Sequence, residues 1–405
     1  MHSLFFHLNS FVWLAQIKLV NGKDELRPCP ETSARGTPMR SRVVMLVDLD
    51  YFFAQAEELR DPSLKQKPIV VCVYSGRSED SGAVSTANYI AREFSVKSGM
   101  PIFLAKKKLE KVDAVFLPVD HEYYGEVSDK VMQILRTHAD GFEQMGIDEA
   151  YLDVTRRVAG DFEKARKLAQ IIKNEIKEKL QLTCSIGVGP NKLIAKIAAD
   201  IQKPDGLTIV KPEEAQDFLF PLPVNRILGI GKKTGEKMAS MGIKTVGDLA
   251  KYDVQRLIHV FGKSLGTYFH HAAQGMDESP VQELGEAESI SRIVTLKENT
   301  RDLQTILTYV NPLCEDLHES IKERRLTFKS VGISSVMADM SAHSRSKTLE
   351  NPTDDLETLK QTVKELFERF LSDTDLEARR VGVKVSNFSE RTSKQQQITR
   401  FIQPT

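Results

Sequence analysis

Gly146-Ile147-Asp148-Glu149-Ala150-Tyr151-Leu152-Asp153 decides the fold, because it pairs with a second acidic strand end, Val43-Val44-Met45-Leu46-Val47-Asp48-Leu49-Asp50-Tyr51-Phe52-Phe53. Each acidic cluster goes with a short apolar, β-favouring run, which sets carboxylates at a strand edge where the backbone holds them while the side chains converge. Taken singly, Asp48, Asp148 and Glu149 read as turn or cap residues that end strands. Taken together, three carboxylates in one site repel, and the repulsion raises their pKa values unless divalent cations neutralise it. Hard oxygen ligands of this kind suit Mg²⁺ held jointly with substrate phosphates. The chemistry implied is in-line phosphoryl transfer, with two ions about 3.5–4 Å apart stabilising the attacking and leaving oxygens.

At 405 residues the chain is long for one core, and two to four domains are expected. Lys+Arg and Asp+Glu both number 56. A duplex binder usually shows a basic excess, so any nucleic-acid-binding face here must be local. Cys29, Cys72, Cys184 and Cys314 lack Cys-x-x-Cys spacing, which argues against a zinc site or a disulfide framework and for a reducing, cytoplasmic compartment. Within residues 1–20, His7, Asn9, Gln16 and Lys18 interrupt any membrane-length apolar run. The basic start, uninterrupted apolar centre and small-x-small site of a signal peptide are missing. Residues 1–41 read as a disordered upstream extension or a mis-assigned start, with the folded chain opening near Arg42.

From Val43 to Val210 strands and helices alternate with short polar breaks, the pattern of an α/β or α+β catalytic domain. Asp161 to Leu180 carries a helical stripe of Phe162, Ala165, Leu168, Ala169, Ile172 and Ile176. Thr183 to Gly189 reads as a buried strand, followed by a helix from Asn191 to Ile201. Leu222 to Met276 is nearly all helical and looks like a helix-hairpin-helix built on Gly229-Ile230-Gly231-Lys232-Lys233. Gly229 and Gly231 would let the backbone approach a phosphate closely, with helix-start amides as donors. An ordinary glycine turn between packed helices is the competing reading, and the second glycine turn, Met241-Gly242-Ile243, favours phosphate. After a polar, acidic linker at 277–287, the order of strands and helices is β-α-β-β-α-β. In the last strand Arg380, Gly382 and Lys384 alternate with Val381, Val383 and Val385, so the valines face the helices and the cations the open side.

These segments resemble the Y-family of DNA polymerases, in the branch of bacterial polymerase IV and the archaeal lesion-bypass enzymes. The resemblance runs from about Arg42 to the C-terminus. It implies an α+β multidomain, right-hand architecture: a palm at 42–221 with a fingers insertion at about 67–108, a helix-hairpin-helix thumb at 222–276, and a βαββαβ little finger at 288–388. It implies that Asp48, Asp148 and Glu149 are catalytic and ligate two Mg²⁺, with Leu49 lending a main-chain carbonyl. Relatives commonly carry Ser before Ile-Asp-Glu, where this chain has Gly146. Thr86, Tyr89 and Arg92, in Ser85-Thr86-Ala87-Asn88-Tyr89-Ile90-Ala91-Arg92, together with Lys203, match the residues that hold the β- and γ-phosphates of the incoming nucleotide. Phe53 matches the aromatic that collides with a ribose 2′-hydroxyl. Small Ala83, Ser85 and Gly99 fall where the fingers roof the nascent base pair. DNA contacts are expected at Gly229, Gly231, Lys232, Arg292, Arg380 and Lys384, and phosphate contacts set register without reading sequence.

The function implied is template-directed, error-prone translesion synthesis from primer-template DNA and deoxynucleoside triphosphates, without a proofreading exonuclease and as a monomer with no membrane association. The alternative is a non-catalytic homologue that binds DNA and a clamp. A palm-type nucleotide cyclase would share the carboxylates but would not need the helix-hairpin-helix. In the polar tail, expected to be disordered, Gln395, Ile398 and Phe401 resemble the anchors of a sliding-clamp-binding box, although Ile402 stands where the strongest boxes carry a second aromatic.

Overall fold

The structure, a computed structural model, describes residues 41–390 apart from 284 and 286. The expected extension up to residue 40 and the box of Gln395, Ile398 and Phe401 lie outside the described residues. Strand β1 (Val44–Leu49) is buried along its whole length, and α1 (Phe52–Arg60) follows it directly. The chain then builds a small sheet from β2 (Ile69–Tyr74), β3 (Gly82–Ala87) and β4 (Val115–Pro118), in the order β3-β2-β4. Helices α2 (Tyr89–Glu93) and α3 (Ile102–Lys108) close this unit around Val70, Cys72, Val84, Ile102 and Leu109.

The return path is α4 (His121–Thr137), β5 (Gly141–Gln144), β6 (Glu149–Asp153), α5 (Phe162–Leu180), β7 (Cys184–Gly189), α6 (Lys192–Ala199) and β8 (Leu207–Ile209). The strands form one sheet in the order β5-β6-β1-β7-β8, with β1 central and antiparallel to both neighbours. Asp161 starts α5 by accepting from the amides of Glu163 and Lys164, and the expected stripe of Phe162, Ala165, Ala169, Ile172 and Ile176 is buried on the sheet. Gly187 explains how close α6 lies on β7. A Cβ there would stand 2.1 Å from the Ala195 carbonyl oxygen and 2.2 Å from the Ala199 nitrogen, so any larger residue would push the helix off the sheet.

Beyond α7 (Ala215–Leu219) come α8 (Lys232–Ser240), α9 (Val246–Lys251), α10 (Val254–Phe261) and α11 (Lys263–Ala273). Their core of Ile227, Ile230, Met238, Ile243, Leu249 and Phe269 continues onto Ile194 and Ile197 of α6. Over residues 277–283 the polar, acidic linker expected at 277–287 is strapped along the five-stranded sheet. The Leu193 amide donates to Asp277 (3.0 Å), Arg42 donates to the Ser279 carbonyl (2.6 Å), and Val281 is buried. The last unit is β9 (Ser289–Thr300), α12 (Leu303–Glu323), β10 (Leu326–Met337), β11 (Ala342–Thr353), α13 (Leu356–Ser372) and β12 (Ala378–Glu390), in sheet order β11-β10-β12-β9. The α+β class and the βαββαβ order read from the sequence both hold. No helix among the described residues is long and apolar enough to cross a membrane.

Candidate active site

Asp48 and Glu149 face one another directly across β1 and β6, and Ser185 of β7 lies opposite Asp48 on the other side. Asp148 immediately precedes β6, and its carbonyl accepts from the Leu49 amide at 2.8 Å, which pins the two acidic motifs together. Asp48 and Glu149 are both buried. Burial pushes the Asp48 carboxyl up to about 7; Lys203 works against that rise and Asp148 adds to it. Burial and then the neighbouring Glu149 charge raise Asp148 as well.

Two lysines answer this negative charge. Lys203 donates to Asp48 at 2.7 Å and to Asp200 at 2.9 Å. Lys196, on α6, is hydrogen-bonded to Glu149 and stands 3.9 Å from Asp48. Burial disfavours the Lys196 charge, but Glu149 and Asp48 more than offset it, and its pKa is raised. Among the described residues no group of three His, Cys, Asp or Glu side chains is placed so as to hold a metal ion. The donor set itself fits a hard divalent cation: crowded carboxylates that offer only oxygen ligands and whose mutual repulsion a divalent ion would relieve. Lys196 was not singled out from the sequence. Its signal is only its position one turn after Lys192 on a helix whose place over the sheet depends on Gly187.

Asp50 also escaped the sequence reading. It is buried, accepts from Ser185 Oγ (2.7 Å) and the Asp205 amide (2.8 Å), and so anchors the loop carrying Lys203. On the fingers side Asn88 has a similar anchoring role: its Oδ1 accepts from the Ala91 and Ile69 amides, both at 3.0 Å, and starts α2. Tyr89 and Arg92 follow on α2, with the guanidinium 4.7 Å from the Tyr89 ring, while Thr86 sits half-buried on β3. Tyr51 meets Tyr89 edge-on at 5.3 Å. Burial first and Asp50 next raise the Tyr89 pKa, and Lys203 and Arg92 oppose them, so α2 and the carboxylate cluster share one electrostatic neighbourhood. Phe53, on the first turn of α1, is half-buried and stacks on Tyr124. Ala83 and Ser85 lie on β3, and the Gly99 amide donates to the Val84 carbonyl between them at 2.8 Å.

Farther out, Gly229 takes φ 86° in the turn before α8, and Gly231 caps that helix with no side-chain bond to its amides. Lys232 is its exposed first residue. On the last sheet, Arg380 and Lys384 share a face with Gly382, while Val381, Val383 and Val385 are buried under the helices. Arg292 corrects the expectation that grouped it with these cations. It pairs in register with Val383, which puts it on the helix-covered face, where it donates to Asp316 of α12 at 2.6 Å and to Ser320 at 3.0 Å.

Residues 47–200 match the impB/mucB/samB family, residues 287–399 match the C-terminal domain of that family, and residues 226–277 match the DNA polymerase-iota thumb domain. The chain is 50% identical to DNA polymerase IV of Nitrosopumilus maritimus over 90% of this chain and 100% of the relative. It is 48% identical to DNA polymerase IV of Methanosarcina acetivorans, over 87% and 98%. Among solved structures, a Y-family DNA polymerase chimera superposes with a TM-score of 0.81 at 38% identity, over 86% of this chain and 99% of that one. DinB from Sulfolobus solfataricus gives 0.58 at 36%, over 85% and 98%. With identity of this order over most of the chain, and family models matched over the carboxylate strands, the helical unit and the last sheet alike, the chain belongs to the Y-family of DNA polymerases, in the DNA polymerase IV branch.

Proposed function

We propose that this protein is a translesion DNA polymerase that adds deoxynucleotides to a primer 3′ end under template direction, without proofreading, in the service of DNA damage tolerance. The observation that carries the reading is the direct cross-strand placement of Asp48 and Glu149, with Asp148 beside them, in a buried site balanced by Lys196 and Lys203. Asp48, Asp148, Glu149 and the Leu49 carbonyl would hold two Mg²⁺. When bound, the ions stabilise charge on the attacking 3′-oxygen and on the departing pyrophosphate. Lys203 and Arg92 then carry fixed positive charge to the triphosphate, with Thr86 and Tyr89 as hydroxyl donors. Phe53 closes the space a 2′-hydroxyl would need. The small roof of Ala83, Ser85 and Gly99 tests base-pair shape loosely, which favours damaged templates at the expense of fidelity.

One structural neighbour is an insertion ternary complex of a DNA polymerase, which supports primer-template DNA and a deoxynucleoside triphosphate as the partners. We assign the palm to 42–221, with fingers at about 67–108, the thumb to 222–276 and the little finger to 288–388. The start of α8, with Gly229, Gly231 and Lys232, would take a duplex phosphate. Arg380 and Lys384 would take others. The protein would act as a monomer and reach a sliding clamp through Gln395, Ile398 and Phe401.

Primer extension tests the reading. Asp148→Ala and Glu149→Ala should each reduce nucleotide addition to background while primer-template affinity stays within a few-fold, because the DNA is held by the outer units. Synthesis persisting in both variants would remove the metal assignment. Wild-type protein that binds primer-template but never extends it, with metal and deoxynucleotides present, would instead favour a binding scaffold.

A further inference from the structure

We propose that Tyr124 is a positioning residue for sugar selection, its buried ring holding Phe53 rigid from behind. The inference rests on the reading of Phe53 as the residue that excludes a 2′-hydroxyl. The two rings stack with centroids 4.4 Å apart and planes 17° from parallel, and the Phe53 and His121 rings also meet at right angles with centroids 6.2 Å apart. Tyr124 has no exposed surface, whereas Phe53 keeps part of its own. Phe53 thus keeps some accessible surface while one of its faces is backed by a ring that is fully buried.

Tyr124 is itself fastened to the helix that carries Phe53. Its hydroxyl donates to Glu57 Oε1 at 2.7 Å, and Glu57 lies one turn beyond Phe53 on α1. Burial and the adjoining Glu57 carboxylate raise the phenol pKa, which keeps the hydroxyl a donor. Two further ties join α1 to the start of α4: the Tyr123 hydroxyl to the Ala56 carbonyl at 3.1 Å, and Arg60 to Asp120 at 2.7 Å. A steric gate discriminates only if it cannot swing aside. A ring with room to change rotamer would relieve the collision at small cost, and a ring stacked on a fixed neighbour would not. No other aromatic pair among the described residues backs a residue matched to the sugar site in this way.

The test is single-nucleotide insertion, comparing kcat/KM for ribonucleotides and deoxynucleotides in the wild type, Phe53→Ala, Tyr124→Leu, Tyr124→Met and Tyr124→Phe, each first checked for a cooperative melt. Tyr124→Leu should lose about tenfold of the discrimination through a lower KM for the ribonucleotide, the loss expected when a stacked ring is replaced by a side chain that cannot stack. Tyr124→Met, a longer and more adaptable side chain of about the same volume as Leu and without a flat ring, should behave like Tyr124→Leu and serves if the latter does not fold. Tyr124→Phe keeps the ring and should restore discrimination to within about twofold of the wild type. Folded Leu or Met variants with the wild-type ratio, or with equal losses in both kcat values, would overturn the inference by making Tyr124 merely structural, provided Phe53→Ala does shift the ratio. If Phe53→Ala leaves the ratio unchanged, the gate reading itself falls and takes this inference with it.

Discussion

Asp48 carries the strongest electrostatic tension in the site, and its sign can be tested. Its pKa in the folded protein is raised from the ordinary carboxylate value of 3.8 to about 7, chiefly by burial, so the folded state holds the proton more tightly than the unfolded chain. The stability this group contributes is therefore present below pH 4 and is lost as pH rises through 7. With metal chelated, the melting temperature of wild type minus that of Asp48→Asn should fall by a few degrees between pH 5 and pH 8, and added Mg²⁺ should restore it in the wild type alone. A difference that is flat with pH would mean that Lys203 and Lys196 fully compensate the charge. Gly146 offers a second test. A Cβ there would lie 3.4 Å from Asp148 Oδ1 and 3.7 Å from Glu149 Cγ, an ordinary contact, so Gly146→Ser should fold and set a hydroxyl beside Asp148. The Mg²⁺ concentration for half-maximal extension should drop by up to about tenfold, the scale of supporting hydrogen bonds at metal sites. The acidic motifs themselves were legible because carboxylates beside apolar strands are unusual. Lys196, Asp50 and Tyr124 were not, because a lysine on a helix, a second Asp in a motif and a Tyr near a helix start look ordinary until tertiary contacts place them.

At the scale of elements, periodicity was informative along a strand and silent between strands. On β12 the alternation correctly puts Val381, Val383 and Val385 on the buried face, while of the residues between them Lys384 is exposed, Arg380 half-buried and Gly382 buried. Nothing in the residues around Arg292 fixes how β9 registers on β12, and a shift of one residue would have turned it to the open face. The observed pairing with Val383 decides the matter. Arg380→Ala and Lys384→Ala should therefore weaken DNA binding alike on all sequences, each lowering the slope of log affinity against log salt by about 0.9. Filter binding or anisotropy across a salt series would measure it, and a sequence-dependent loss would point to base contacts. Arg292→Ala should behave differently. It removes charged hydrogen bonds to Asp316 and Ser320, costing about 1.5–3 kcal/mol of stability, and leaves the salt slope where it was. Chemical denaturation and the same binding series separate the two cases.

For the whole molecule, the individual units were readable from the sequence and their mutual placement was not. Arg77, in the turn between β2 and β3, donates to the Lys297 carbonyl at 3.0 Å and to Asn299 at 2.7 Å, joining the small first sheet to the last unit across more than half the chain. The strap at 277–283 likewise takes a course that a polar segment does not announce. Such contacts are single side chains meeting across surfaces, without the repeated spacing that makes a helix or strand legible. On a chain with no net charge, the proposed DNA-holding groups are spread over several modest surfaces, which is the condition under which a tether matters most. A second attachment point converts rebinding into an intramolecular event and raises the effective concentration of enzyme at the primer end. The sequence Gln395-Gln396-Gln397-Ile398-Thr399-Arg400-Phe401-Ile402 supplies a candidate attachment. Deleting residues 395–405, or changing Ile398 and Phe401 to Ala, should leave extension on naked primer-template unaltered and abolish its stimulation by the cognate sliding clamp. Because avidity of this kind is worth roughly a hundredfold or more where the linker can span the sites, the contrast should be plain in a processivity assay. Equal stimulation of the intact and truncated chains would place any clamp contact elsewhere on the molecule.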